Sequence, residues 1–118
     1  MASPSTGERD SPMNRTIIVA RIEPNAERSV ADVFAASDST SLPYDLGVQQ
    51  RTLYSLQDIY LHVIDFDQEP GEALRKAAKL PGFRQISEEL RPFIKPYDPQ
   101  TWRTPQDAVA KQFYRWSA

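Results

Sequence analysis

Three side chains inside residues 37–66, SDSTSLPYDLGVQQRTLYSLQDIYLHVIDF, can do acid–base and anion-binding chemistry together: Asp38, Arg51 and His62. His62 is the only histidine of the chain. An unperturbed imidazole titrates near 6.5, so it can accept and return a proton at neutral pH as a general acid or base. Its competing reading is a hydrogen-bonded structural histidine in a strand. Arg51 keeps its charge at any working pH and can bind a developing enolate or alkoxide. Its competing reading is an ordinary salt bridge to Asp65, Asp45 or another acid. Asp38 can orient His62, act as a base or hydrogen-bond a substrate hydroxyl. The end of a helix, where the backbone carries partial negative charge, is a poor place for an acid meant only to stabilise that helix. A loop turn residue is the competing reading of Asp38.

These groups need a frame. Residues 48–56 and 59–66 read as two strands joined by a two-residue turn at Gln57 and Asp58. That turn sets Leu53 opposite His62 and Arg51 opposite Ile64. Alternation then gathers Arg51, Leu53, Tyr60, His62 and Ile64 on one face. Thr52, Tyr54, Leu56, Ile59, Leu61 and Val63 occupy the other. Neither face is simply polar, so both are expected to be covered.

Around this hairpin, residues 16–22 (TIIVARI) suit a largely buried strand. A helix is expected from Pro24, with Ala26, Val30, Val33, Phe34 and Ser37 at helical spacing, ended by the polar cluster 38–43. A second helix is expected over 69–80, with Ala73, Leu74, Ala77, Ala78 and Leu80 inward. Further helical turns follow over 83–94, interrupted by prolines, and a last strand over 112–116. Residues 1–13 are polar and rich in Ser and Pro, which predicts a flexible extension before one folded domain, 14–118. The order β-α-β-β-α-(α)-β is that of an α+β, ferredoxin-like βαββαβ fold: one antiparallel sheet with helices on one face. Its apolar second face predicts a sheet-to-sheet homodimer.

Composition narrows the chemistry. The chain has 118 residues, 40% hydrophobic and 25% charged, with a net charge of −2. That balance gives no basic footprint for nucleic acid. No apolar run approaches the roughly 20 residues that cross a bilayer, and residues 1–15 lack the apolar core of a secretory signal. Absence of cysteine removes disulfides, iron–sulfur clusters and thiol catalysis. One histidine and no cysteine argue against zinc, and an all-carboxylate magnesium site stays formally open. A cytoplasmic domain without metal or other cofactor is the expectation.

Two phrases carry a resemblance. In the first, Leu42-Pro43 and Gly47-Val48 precede Arg51-Thr52-Leu53, followed by Asp58-x-Tyr60-x-His62; in the second, AKQFYRW supplies Ala110, Phe113, Tyr114 and Trp116. The segment LPGFRQISEELRPFIKPY, residues 80–97, fits as well. From Met13 onward the chain resembles the small aromatic polyketide cyclases typified by the tetracenomycin second-ring cyclase. The resemblance implies a homodimer of ferredoxin-like subunits, each with a pocket between sheet and helices. It also implies a cofactor-independent, aldol-type cyclisation of a poly-β-ketone intermediate with loss of water. The setting it implies is cytoplasmic, alongside type II polyketide synthase components in antibiotic or pigment biosynthesis. Members of that family carry a His-Asp pair where this chain has Ser37-Asp38, and serine cannot shuttle a proton near neutral pH as imidazole can.

A flat, partly aromatic polyketide needs a mostly apolar pocket with few polar groups. Phe34, Ser37, Leu53, Tyr60, Ile64 and Trp116 are the expected lining, with core packing the competing job of each aromatic. His62, Arg51 and Asp38 are the expected catalytic groups. Two alternatives use the same pocket: a cofactor-independent anthrone-type monooxygenase of this fold, and a non-catalytic module that templates polyketide folding.

Overall fold

Alternation in the first apolar run decides which way the sheet faces. In β1 (Arg15–Ile22) Thr16, Ile18, Ala20 and Ile22 are buried, while Arg15, Ile17, Val19 and Arg21 point to the opposite face. The computed structural model describes residues 14–103 and 105–118, so the extension expected over 1–13 lies outside the described residues.

Helix α1 (Glu27–Asp38) begins later than Pro24 suggests. Pro24 and Asn25 form a turn instead, with Asn25 at φ 61°, a left-handed conformation that asparagine tolerates. Val30 and Phe34 form the buried stripe of α1. Ser39 and Thr40 end it by donating their hydroxyls to the carbonyls of Ala36 and Ser37. The segment expected to be only loop contains a short helix, α2 (Leu42–Leu46), with Pro43 in its first turn. Gly47 closes α2 at φ 76°, and a Cβ there would collide with the Asp67 side chain, so only glycine fits.

Strands β2 (Val48–Leu56) and β3 (Ile59–Phe66) pair in the expected register, Leu53 opposite His62 and Arg51 opposite Ile64. A β-bulge between Val48 and Gln50 was not legible in the sequence. One extra residue shifts the pleat, so Val48 and Arg51, three apart, both face the helices. After β3 come α3 (Pro70–Ala77) and α4 (Pro81–Leu90). Pro81, just past the helix expected over 69–80, starts the next one, because the first helical turn needs no N–H from it.

The fourth strand differs from expectation. It is β4 (Ile94–Pro96), which pairs with Ala20–Ile22 of β1. Pro96 lacks an N–H, and an edge position tolerates that loss. Residues 112–116, the expected last strand, have no regular secondary structure. The chain reaches the sheet instead through Val109, bridged to Ile18 after a 3-10 helix, Pro105–Ala108. The strand order β4-β1-β3-β2, all antiparallel, is the ferredoxin-like arrangement. α1, α3 and α4 pack on one face, and the core lies between them and the sheet.

Candidate active site

The sheet and helices do not close completely on each other. Between them lies a cavity of about 520 Å³, a size suited to a small-molecule site. Ile18, Ala20 and Ile64 form its floor, Ala73 and Ala77 of α3 and Phe83, Ile86 and Leu90 of α4 its roof. The two alanines keep α3 from filling the space, which is how a small-residue helix face leaves room for a ligand.

One polar cluster interrupts this apolar wall. Arg51, on edge strand β2, donates Nε and Nη2 to the Asp38 carboxylate at 2.8–3.2 Å. Its Nη1 lies 3.0 Å from His62 Nε2, and its guanidinium carbon sits 4.7 Å over the Phe34 ring. The Arg51 side chain is 14% exposed and that of Asp38 39%, so Asp38 grips the arginine from the solvent side. Among the described residues three of the five guanidinium N–H groups are engaged, which leaves two for a ligand.

Arginine only donates, so His62 Nε2 must be an unprotonated acceptor and the proton sits on Nδ1. Burial, reinforced by the Arg51 charge, pushes the imidazole down to about 3. Phe34 packs edge-on to the imidazole at 5.0 Å. Tyr60, the next inward residue of β3, lines the same cavity. Burial raises its phenol well above the ordinary value, against a partial offset from Arg51, so the hydroxyl stays a neutral donor.

The sequence-predicted residues divide into two groups. Arg51, His62, Phe34, Tyr60 and Ile64 meet at the cavity, and Asp38 supports them from outside it. Ser37 does not line the cavity; its Oγ is buried in the last turn of α1 without a hydrogen-bond partner among the described residues. Leu53 packs beside α1 on a smaller depression with Val30. Trp116, 72% exposed, is not a wall of the cavity, because the strand expected to carry it does not form. Trp102 is the tryptophan that lines it, placed by a loop whose turn Asp98 organises by accepting from Gln100 N. Trp102 is absent from the expected lining, and its signal in the sequence is a large apolar residue amid polar neighbours.

Among the described residues no group of three or more His, Cys, Asp or Glu could hold a metal ion, and no helix is long and apolar enough to cross a membrane.

Residues 14–117 match the family model described as polyketide synthesis cyclase. The chain is 48% identical over 105 residues to an uncharacterised protein of Streptomyces coelicolor, covering 88% of this chain and 95% of that one. Polyketide synthase CurG of Streptomyces cyaneus is 43% identical over 104 residues, covering 88% and 97%. Tetracenomycin F2 cyclase of Streptomyces glaucescens is 36% identical, covering 88% and 94%. The solved structure of that enzyme, described as a type II polyketide cyclase, superposes with a TM-score of 0.80 over 88% of this chain and 97% of its own.

Proposed function

The chain belongs to the polyketide synthesis cyclase family, and we propose that it closes a ring of an aromatic polyketide intermediate by an intramolecular aldol reaction followed by loss of water. The observation that carries this reading is a single cation, Arg51, fixed by Asp38 and His62 in the wall of an otherwise apolar cavity.

An aldol closure forms negative charge twice. A methylene between two carbonyls loses a proton to give an enolate, and the attacked carbonyl becomes an alkoxide as the new carbon–carbon bond forms. The alkoxide then takes up a proton, and water departs with formation of the double bond. Arg51 offers two free N–H groups to the enolate oxygens and lowers the cost of the first ionisation. Tyr60 donates a hydrogen bond to the accepting carbonyl, and its raised pKa keeps the proton in place until the alkoxide calls for it. His62 holds Arg51; an imidazole that titrates near 3 is a weak base at neutral pH. The β-diketone methylene is acidic enough that water at the cavity mouth accepts its proton once Arg51 shares the charge. The apolar walls hold the chain folded, and near-attack geometry supplies up to roughly 7–11 kcal/mol in well-oriented cases.

The weak basicity of His62 favours one second reading: a pocket that templates folding, with no catalysis by ionisable groups. The product profile of a minimal aromatic polyketide synthase, run alone, with this protein and with its Arg51→Ala variant, separates them. Redirection of shunt products to a new ring pattern that the variant loses supports the catalytic reading. Equal redirection by the variant supports the template. No redirection by the native protein on any tested polyketide sinks both.

The protein would work as a homodimer joined through the open sheet face. Tyr54 and Leu56 are 56% and 73% exposed there, beside half-buried Ile17, Val19, Leu61 and Val63. Such an apolar patch is more than a monomer usually shows to water. Contact with type II polyketide synthase components is the partner this reading implies.

A further inference from the structure

We propose that Trp102 is a specificity-determining residue of this site: it forms the cavity wall remote from Arg51 and contacts the flat rings of the bound polyketide. The inference rests on the cyclase reading for the identity of the ligand. It deepens that reading by assigning a residue outside the Asp38–Arg51–His62 cluster.

Position comes first. Arg51 stands on β2, one edge of the sheet, and β1 lies two strands away. Neighbouring strands are about 4.8 Å apart, so the backbones of β2 and β1 are separated by roughly 10 Å, and the Arg51 guanidinium reaches inward as far as His62 of the strand between them. Trp102 packs on the β1 side, against the clusters that contain Ile18 and Ala20. A ligand with an oxyanion on Arg51 and a ring on Trp102 therefore extends across the cavity from the β3 side to the β1 side.

Chemistry comes second. Trp102 is half-buried, lines the cavity and, among the described residues, is the one partly buried side chain that packs against both core clusters. The ring pairs among the described residues involve Phe34, Tyr60 and His62, and none uses its indole. Its Nε1–H has no hydrogen-bond partner among the described residues either. A tryptophan in a cavity wall with both its ring and its N–H unspent suits a hydroxylated, planar aromatic, through ring stacking and a hydrogen bond to a phenol or quinone oxygen.

Support from the backbone comes third. The loop that carries Trp102 is built: its N–H bonds the Asp98 carbonyl at 3.1 Å, and the next N–H, of Arg103, bonds Asp107 Oδ2 at 2.7 Å. The backbone that carries the indole is thus fixed at Trp102 and at the next residue, as a wall that selects by size requires.

The test uses binding as well as activity. In a Trp116→Phe background Trp102 is the sole tryptophan, so its fluorescence reports its own surroundings. Titration with 1,8-dihydroxyanthraquinone, a planar tricyclic phenol, is expected to quench it saturably. Trp102→Ala is expected to weaken binding of that probe, measured by calorimetry, by about tenfold or more, with Trp102→Phe in between, since it keeps an aromatic ring and loses the N–H. The same Ala variant is expected to shift the product profile toward larger ring systems. Saturable calorimetric binding without quenching, or native affinity in both variants, overturns the proposal while leaving the cyclase reading intact. If the Ala variant does not fold, the quenching and the Phe variant still decide. A native protein that binds the probe through Trp102 yet redirects no polyketide defeats the cyclase reading and not the wall.

Discussion

Arg51 Nη1 meets His62 Nε2 at 3.0 Å, so the only histidine of the cavity spends its lone pair on an arginine. This relationship turns the expected acid–base residue into an acceptor that aims a cation. Glutamine at position 62 can present an amide oxygen near the place of Nε2, whereas leucine leaves Arg51 without its inner partner. His62→Gln is expected to keep kcat for cyclisation within about tenfold of native, and His62→Leu to lose considerably more. Steady-state kinetics on one cyclisation substrate checks this. Equal, near-complete inactivation by both would mean that the imidazole itself transfers the proton.

Arg51 is expected to be irreplaceable by lysine. A lysine ammonium could satisfy either Asp38 or the cavity, but its point charge cannot hold the side-on carboxylate, His62 and a ligand at once. Removal of one oxyanion donor typically costs about 10²–10³ in kcat. Arg51→Lys should fall in that range with KM changed far less, since the lost interaction develops in the transition state. A variant that raises only KM would show that Arg51 merely binds.

Stability should carry the signature of His62 as well. Unfolded, the imidazole takes a proton near 6.5; folded, it does so near 3. Between those values the unfolded chain binds more protons, so stability falls as pH drops from about 6.5 toward 3 and is indifferent to this group above that window. The slope approaches about 1.4 kcal/mol per pH unit, or on the order of 2 kcal/mol lost between pH 6.5 and pH 5. Urea denaturation at both pH values, native against His62→Gln, isolates the effect from the carboxylates common to both. A parallel pH dependence in the two proteins would contradict the buried, neutral imidazole.

Much of this site was legible because it rests on short-range rules. A two-residue turn and strand alternation sufficed to pair Leu53 with His62 and to bring Arg51, Tyr60, His62 and Ile64 to one face. What escaped depends on non-local pairing. The bulge at Val48–Gln50 comes from matching β2 to β3, and no residue in VQQ announces it. The fourth strand is three residues ending in proline, which local propensity rejects and an edge position on β1 accepts. The aromatic run at 113–116 has the composition of a strand, yet the chain meets the sheet before it, at Val109 and Ala110. Trp102 therefore holds the place expected of Trp116. Ser37 shows the opposite failure: it stands where the family's His-Asp pair has its histidine and is expected to line the pocket, but helical rotation turns its Oγ into protein.

The open sheet face yields the remaining prediction. Strand alternation that buries Ile18, Ala20, His62 and Ile64 against the helices necessarily turns Ile17, Val19, Leu61 and Val63 outward. Tyr54 and Leu56 extend that surface along β2, and the polar groups flanking it, Arg15 with Asp65 and Arg21 with Asp58, are paired with each other at its ends. Those exposed ion pairs contribute little to stability, at most about 1 kcal/mol each, but they frame an apolar centre as a polar rim frames an interface. The protein is therefore expected to sediment at twice its 13.4 kDa mass. Leu61→Glu puts a charge in the middle of the patch, where desolvation of an unpaired carboxylate opposes association. Its expected effect is a monomer at micromolar concentration with far-UV circular dichroism preserved. Val63→Glu should behave alike, whereas Glu88→Gln, on the solvent side of α4, should leave the dimer intact. A native protein that stays monomeric up to its solubility limit would refute the interface and leave the cavity chemistry untouched, because every residue of the Asp38–Arg51–His62 cluster comes from one chain.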